Sequence, residues 1–339
     1  MARSPANTAR LEAVAAAKAL HLDLESRARL ELGEGQIDVF GAIESLGITL
    51  VFKPLTSALG LCLPSPLRGI IITTERVLSI QRFTAAHELG HAVLDHSGSI
   101  DRTLNYRSGF AADLHDLQEI AADAFAAEFL LPRWLYKYHI QKQGWTVQGH
   151  LQDPATVYQL ALRMGASFEA TCWGLVSHNV ISQTAAQTLV DTKVAALKSQ
   201  IGEGHRPATS WADAWKISQR DHGALLRGSR EDLLRLDLAE ASGAGFQWNI
   251  GDLKDAGFEI LADHNAIDTS PMNYGAQTMR TIIARPPDTA MTDISLEERQ
   301  PWTNGAPGSG TLDIRMNLEG KERGGVSRAT RLKRGALTP

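Results

Sequence analysis

Apolar positions change their period along this chain, and the changes mark its elements. Residues 8–32 and Ile37 to Leu46 follow helical spacing, with Gly47 placed to end the second helix. Three short apolar runs follow, at Gly47–Phe52, Leu59–Leu63 and Gly69–Thr74, the last two separated by Pro64-Ser65-Pro66; they predict a small sheet. Phe83, Ala86, Gly90, Val93 and Leu94 then return to helical spacing, with Gly90 small enough to admit a second backbone. Leu117, Ala121, Ala124, Glu128 and Leu131 form another helical stripe that Pro132 ends. Helical texture resumes over 146–201. Beyond Gly202–Pro207 the period becomes two: Leu234, Leu236 and Leu238 alternate with Arg235 and Asp237, and Leu312, Ile314, Met316 and Leu318 with Asp313, Arg315 and Asn317. Strand-like runs at 256–262, 277–284 and 291–297 fill the interval and predict a β-sandwich.

This pattern divides the chain into an α+β domain over 1–145, a helical extension and linker over 146–205, an all-β sandwich over 206–320 and a disordered tail over 321–339. The tail is basic, carrying Lys321, Arg323, Arg328, Arg331, Lys333 and Arg334, and is the one part expected to touch nucleic acid, weakly. The whole chain of 339 residues has a net charge of −4, which gives it no general affinity for nucleic acid. Val157–Gly165 and Ser167–Trp173 resemble a helix-turn-helix, but the second helix lacks Lys and Arg, so packing or substrate docking is its expected role rather than DNA reading. Cys62 and Cys172 have no metal-ligand spacing and predict reduced thiols. There is no membrane-length apolar run, and Leu11–Leu20 is interrupted by Glu12 and Lys18, unlike a secretory signal. The expected setting is the cytoplasm.

The chemistry lies in His87-Glu88-Leu89-Gly90-His91. A four-residue step on a helix turns about 40°, so His87 and His91 project from one face toward one ion. Imidazole suits Zn²⁺, and Glu88 beside them is placed to take a proton from a zinc-bound water. Such a site needs a third protein ligand, and Glu119 on the following helix is placed to complete it. Asp123, one turn later, is placed to accept the second ring N–H of a ligand histidine. His96 does not extend the motif to three histidines, because that pattern needs Gly at 94 and His at 97, where Leu94 and Ser97 stand, and on a continuous helix His96 points away from His87. Tyr106, Arg107 and His115, in the polar segment between the two helices, are candidates for stabilising an oxyanion.

Residues from about 35 to 132 resemble the ImmA/IrrE family of metallopeptidases. The family reads Arg-Phe-Thr-Leu-Ala-His-Glu-Leu-Gly-His, matched by Arg82 to His91, and later Glu-x-Glu-Ala-Asn-x-Phe-Ala-Ala-Glu-Leu-Leu-Met-Pro, matched by Glu119 to Pro132. Counting back from the shared proline places Glu119 on the family's metal-binding glutamate; Ala121 and Asp123 replace its second Glu and its Asn. The resemblance implies a zincin-like zinc endopeptidase that cuts a helix-turn-helix repressor and so releases a stress or mobile-element response. The region from about 213 to 320 resembles the chagasin-like family, immunoglobulin-like inhibitors of papain-type cysteine proteases. Gly245-Phe246-Gln247-Trp248 matches the end of one family loop, Arg299-Gln300-Pro301-Trp302 matches Arg-Pro-Trp with Gln300 inserted, and a glycine loop survives faintly around Gly275. The resemblance points to Phe246, Trp248, Arg299 and Trp302 as recognition-loop residues. Two other functions follow from these features: a cysteine-protease inhibitor with an inactive peptidase half, and a DNA-binding regulator.

Overall fold

In the computed structural model the described residues are 4–63, 66–96, 99–101, 114–266, 278–303, 310–328 and 330–331. Helices α1 (Pro5–Asp23) and α2 (Val39–Ser45) precede strands β1 (Thr49–Lys53), β2 (Gly60–Leu63) and β3 (Gly69–Thr73). Next come α3 (Leu78–Val93), β4 (Ser99–Asp101), α4 (Leu114–Leu130) and α5 (Arg133–Gln143). The helical extension comprises α6 (Pro154–Met164), α7 (Phe168–Ser177), α8 (Gln183–Val190) and α9 (Val194–Ile201). The remainder is β5 (Ala214–Ser218), β6 (Leu225–Arg227), β7 (Leu233–Glu240), β8 (Gln247–Trp248), α10 (Gly251–Asp255), β9 (Glu259–Ala266), β10 (Thr278–Arg285), β11 (Met291–Arg299), β12 (Gly310–Asn317) and β13 (Gly325–Val326).

The first predicted helix is shorter than its spacing suggests. Ser4 caps α1 and Pro5 opens it, but the chain leaves the helix at Leu24, with Glu25 at a positive φ of 48°, and only a 3₁₀ turn, Ala28–Leu32, follows. α1 and α3 both pack against α4. Gly90 permits this approach: a Cβ there would lie 3.2 Å from the Ala122 Cα on α4.

The three predicted strands lie at the centre of a five-stranded sheet, whose order is β13-β1-β3-β2-β4. Its first strand corrects the expectation of a disordered tail from 321 onward. Val326 and Gly325 pair antiparallel with Val51 and Phe52 of β1. Gln81 on α3 donates to the Glu322 carbonyl at 2.9 Å and accepts from its N–H at 2.8 Å. Lys321 donates to the Thr74 carbonyl, and Arg328 and Arg331 pair with Glu322. These basic residues are therefore committed within the molecule.

Two four-stranded sheets, β5-β7-β10-β9 and β6-β12-β11-β8, form the predicted sandwich. Leu234, Leu236 and Leu238 of β7 face Ile294 and Leu296 of β11 and Leu312, Ile314 and Met316 of β12 in one core, as the period-two alternation requires. The outer side of the sheet β5-β7-β10-β9 is also covered: Ala214, Leu233 and Ile283 belong to the core that contains Leu197 and Ile201 of α9. Arg163 on α6 and Asp221, before β6, add a buried ion pair at 2.9 Å.

Two buried histidines make the fold sensitive to acid. His21 stacks on Phe129 with ring centroids 4.7 Å apart, and His139 meets the Gly35 carbonyl at 2.7 Å. Burial pushes both down from 6.5 to about 4. The unfolded chain therefore takes up these protons near pH 6.5 and the folded chain only near pH 4. Their stabilisation is complete above 6.5 and is lost as pH falls toward 4, by up to about 3 kcal/mol for each. The melting temperature should fall steeply over that window, and His21→Phe should flatten part of the slope. An unchanged slope in that variant would contradict the assignment.

Candidate metal centre

Ten of the eleven positions of α3 from Gln81 to His91, all but Phe83, are buried, and the polar ones have work to do there. Arg82 donates to the carbonyls of Gly165 and Ile37 at 3.0 and 2.8 Å, tying the helix to the extension and to the start of α2. The metal-type residues sit farther along, where α3 crosses α4. His87 Nε2 lies 3.1 Å from His91 Nε2 and 3.2 Å from Glu119 Oε2, and His91 Nε2 lies 3.5 Å from Glu119 Oε1. Donors on a tetrahedral ion at zinc's usual ~2.0–2.1 Å stand about 3.3 Å apart, so this spacing fits such an ion. Among the described residues His87, His91 and Glu119 are the group with the composition and convergence to hold a metal.

Electrostatics agree with the geometry. Asp123 Oδ1 lies 2.9 Å from His87 Nδ1, which turns Nε2 toward Glu119. Burial disfavours a charged His87, yet the hydrogen bonds to Asp123 and Glu119 and the nearby charge of Glu88 outweigh it, and its pKa is pushed up to about 10. The cluster attracts positive charge, so a proton and a metal cation compete for it.

Glu88 is fully buried beside this cluster and abuts β2. A Cβ on Gly60 would lie 2.6 Å from Glu88 Oε1 and 2.5 Å from the Thr84 methyl, so only glycine leaves room for the carboxylate. Cys62, two residues on, has its thiol pushed up to about 12 by burial and by the charge of Glu88, which leaves it unreactive.

His96 needs a correction. α3 ends at Val93 and Asp95 adopts a positive φ of 53°, so the chain folds back. His96 Nδ1 then lies 3.0 Å from His91 Nδ1, where it orients that ring. A continuous helix would carry it to the opposite side, but α3 has already ended there. An Asp just past an apolar helical run, a residue that tolerates the left-handed region, is the available signal. Tyr106 and Arg107 lie outside the described residues, as does the His115 side chain.

The sandwich residues separate. Trp248 is 2% exposed, sits in the core and donates Nε1–H to the Ala239 carbonyl, so it is a packing residue and not a recognition-loop contact. Phe246 is half-buried, while Arg299 and Trp302 are exposed. The ring of Trp302 covers Gly245, and Gln300 Nε2 donates to the Ala244 carbonyl, so the inserted glutamine joins the two loops. The segment around Gly275 lies outside the described residues.

Residues 43–175 match the IrrE N-terminal-like domain, a peptidase family composed of metallopeptidases. The match spans His87, Glu88, His91, Glu119 and Asp123, so this part of the chain is similar to metallopeptidase domains of the IrrE/ImmA type. No curated protein matches the chain. Among solved structures, the cysteine protease inhibitor EhICP2 from Entamoeba histolytica is similar at 21% identity, over 32% of this chain and 96% of its own, with a TM-score of 0.28. Amebosin is similar at 17% identity, over 31% of this chain and 96% of its own, with a TM-score of 0.26. Among the described residues no helix is long and apolar enough to cross a membrane.

Proposed function

We propose that this protein is a zinc-dependent endopeptidase that cleaves a helix-turn-helix repressor in a stress, DNA-damage or mobile-element response, with the sandwich acting as a sensor, docking or self-regulatory module. The observation that carries the reading is the buried Glu88 carboxylate beside three converging donors, His87, His91 and Glu119. Zinc held by those three would lower the pKa of a water molecule and polarise the scissile carbonyl. Glu88 takes the proton of the attacking water and delivers it to the leaving amine nitrogen. Asp123 and His96 keep the two imidazoles turned toward the cluster. Among the described residues β4 is the outermost strand of the sheet, beyond β2, the strand that touches Glu88, and an extended substrate would add to that edge by main-chain hydrogen bonds.

Co-expression with a repressor encoded nearby, followed by mass spectrometry of new amino termini, tests the reading. A new terminus in the presence of the wild-type chain is expected; an intact repressor in both stressed and unstressed cells would overturn it. Ligand assignment is tested by zinc titration. Asp123→Ala should weaken zinc binding by roughly 10–100-fold, and Glu119→Ala by more than that. Wild-type zinc affinity in Glu119→Ala would reassign the third ligand.

A further inference from the structure

A cavity of about 840 Å³ opens where α3, the turn between α6 and α7, the approach to β5 and the segment after β12 meet. The volume lies in the range of small-molecule sites. None of His87, Glu88, His91 and Glu119 lines it.

Its wall holds four arginines, Arg76, Arg82, Arg227 and Arg323, of which Arg76 and Arg323 are exposed. Arg82 is 5% exposed and spends two N–H groups on the carbonyls of Gly165 and Ile37. An arginine carries five such donors, and its Nη1 end has no further partner among the described residues. Arg227, at the end of β6, lines the same cavity and makes no ion pair among the described residues, and its charge works against that of Arg82.

Of the carboxylates nearby, Glu75 and Glu231 also line the cavity but are exposed and accept from the Thr74 and Thr209 hydroxyls, and the others are committed elsewhere. Asp38, the one that favours Arg82's charge, pairs with Arg29 and caps α2. Asp213 takes the Tyr158 hydroxyl and Lys198, while Asp232 accepts from Trp215 Nε1 and from the N–H groups of Asp213 and Ser229. Glu319 pairs with Arg328. Neither Arg82 nor Arg227 makes an ion pair among the described residues, so two like charges face one cavity, which is unfavourable unless an anion joins them. Guanidinium forks match phosphate oxygens in geometry as well as charge.

We propose that this cavity binds a phosphorylated small molecule whose phosphate is held by Arg82 and Arg227. Such a ligand bridges the sandwich, through β6, to the helix that carries His87 and His91. The binding itself does not depend on peptidase activity.

The test is calorimetric melting of the full chain with AMP, glucose 6-phosphate or orthophosphate, all weak zinc chelators, against sodium chloride of equal ionic strength. At least one of the three should raise the melting temperature by about 3 °C or more at saturation. Arg227→Gln should abolish that rise. Arg227→Glu, which places a counter-charge beside Arg82, should melt no lower than wild type without ligand and should not respond; a purely structural Arg227 would instead make it melt lower. No shift beyond salt with any compound, or the same shift in Arg227→Gln, would overturn the proposal.

Discussion

Glu88→Gln should abolish at least about 10²-fold of the cleavage rate while leaving zinc binding intact. The amide has the carboxylate's shape, so it fits the space that Gly60 leaves, and Glu88 is not among the three residues whose donor atoms converge. What the substitution removes is a group able to accept the proton of the attacking water and give it to the departing amine. A loss confined to kcat, with zinc stoichiometry unchanged, is the expected signature. Near-normal turnover in this variant would sink the assignment of Glu88 as general base, and loss of zinc would make it a ligand.

The largest effect on stability is expected from Asp221→Ala, at about 3–5 kcal/mol. Asp221 and Arg163 are 1% and 4% exposed, and the guanidinium fork meets both carboxylate oxygens, Nε to Oδ1 at 3.1 Å and Nη2 to Oδ2 at 2.9 Å. The other three N–H donors go to the Gln159 carbonyl, the Gln159 side chain and the Lys216 carbonyl, so every donor of Arg163 is used. Asp221 in turn accepts from Gln143 on α5 and from the Ser218 N–H. Removing the carboxylate leaves a buried cation among carbonyls, at the seam between the helical extension and the sandwich. Urea unfolding should show an earlier midpoint, or a separate early transition as the sandwich comes free. Replacing both partners, as in Arg163→Met with Asp221→Leu, should cost far less, because no charge is left stranded. A loss below about 1 kcal/mol in Asp221→Ala would mean that the pair does not hold the seam.

The parts of this protein that could be read from its sequence are those governed by local periodicity. His87 and His91 share a face because a helix turns about 100° per residue, and Leu234, Leu236 and Leu238 share one because a strand alternates. Pairing Glu119 with them needed only a second stripe and a shared pattern of residues, and Asp123 one turn on was legible for the same reason. Other features depend on what lies across from a residue. Trp248 looks like a loop contact in sequence and is core in the fold, since its neighbours come from β7, β11 and β12. His96 serves His91 only because Asp95 reverses the chain. Residues 321–331 have the composition of a tail, yet their strand finds the edge of β1 some 275 positions earlier, Val326 against Val51. Arg163 meets Asp221, and Arg82 shares a cavity with Arg227, across long separations as well. No local period encodes such meetings. Helix phase and strand alternation orient a side chain relative to its own element, while the burial of whole surfaces chooses which elements meet and which charges find partners.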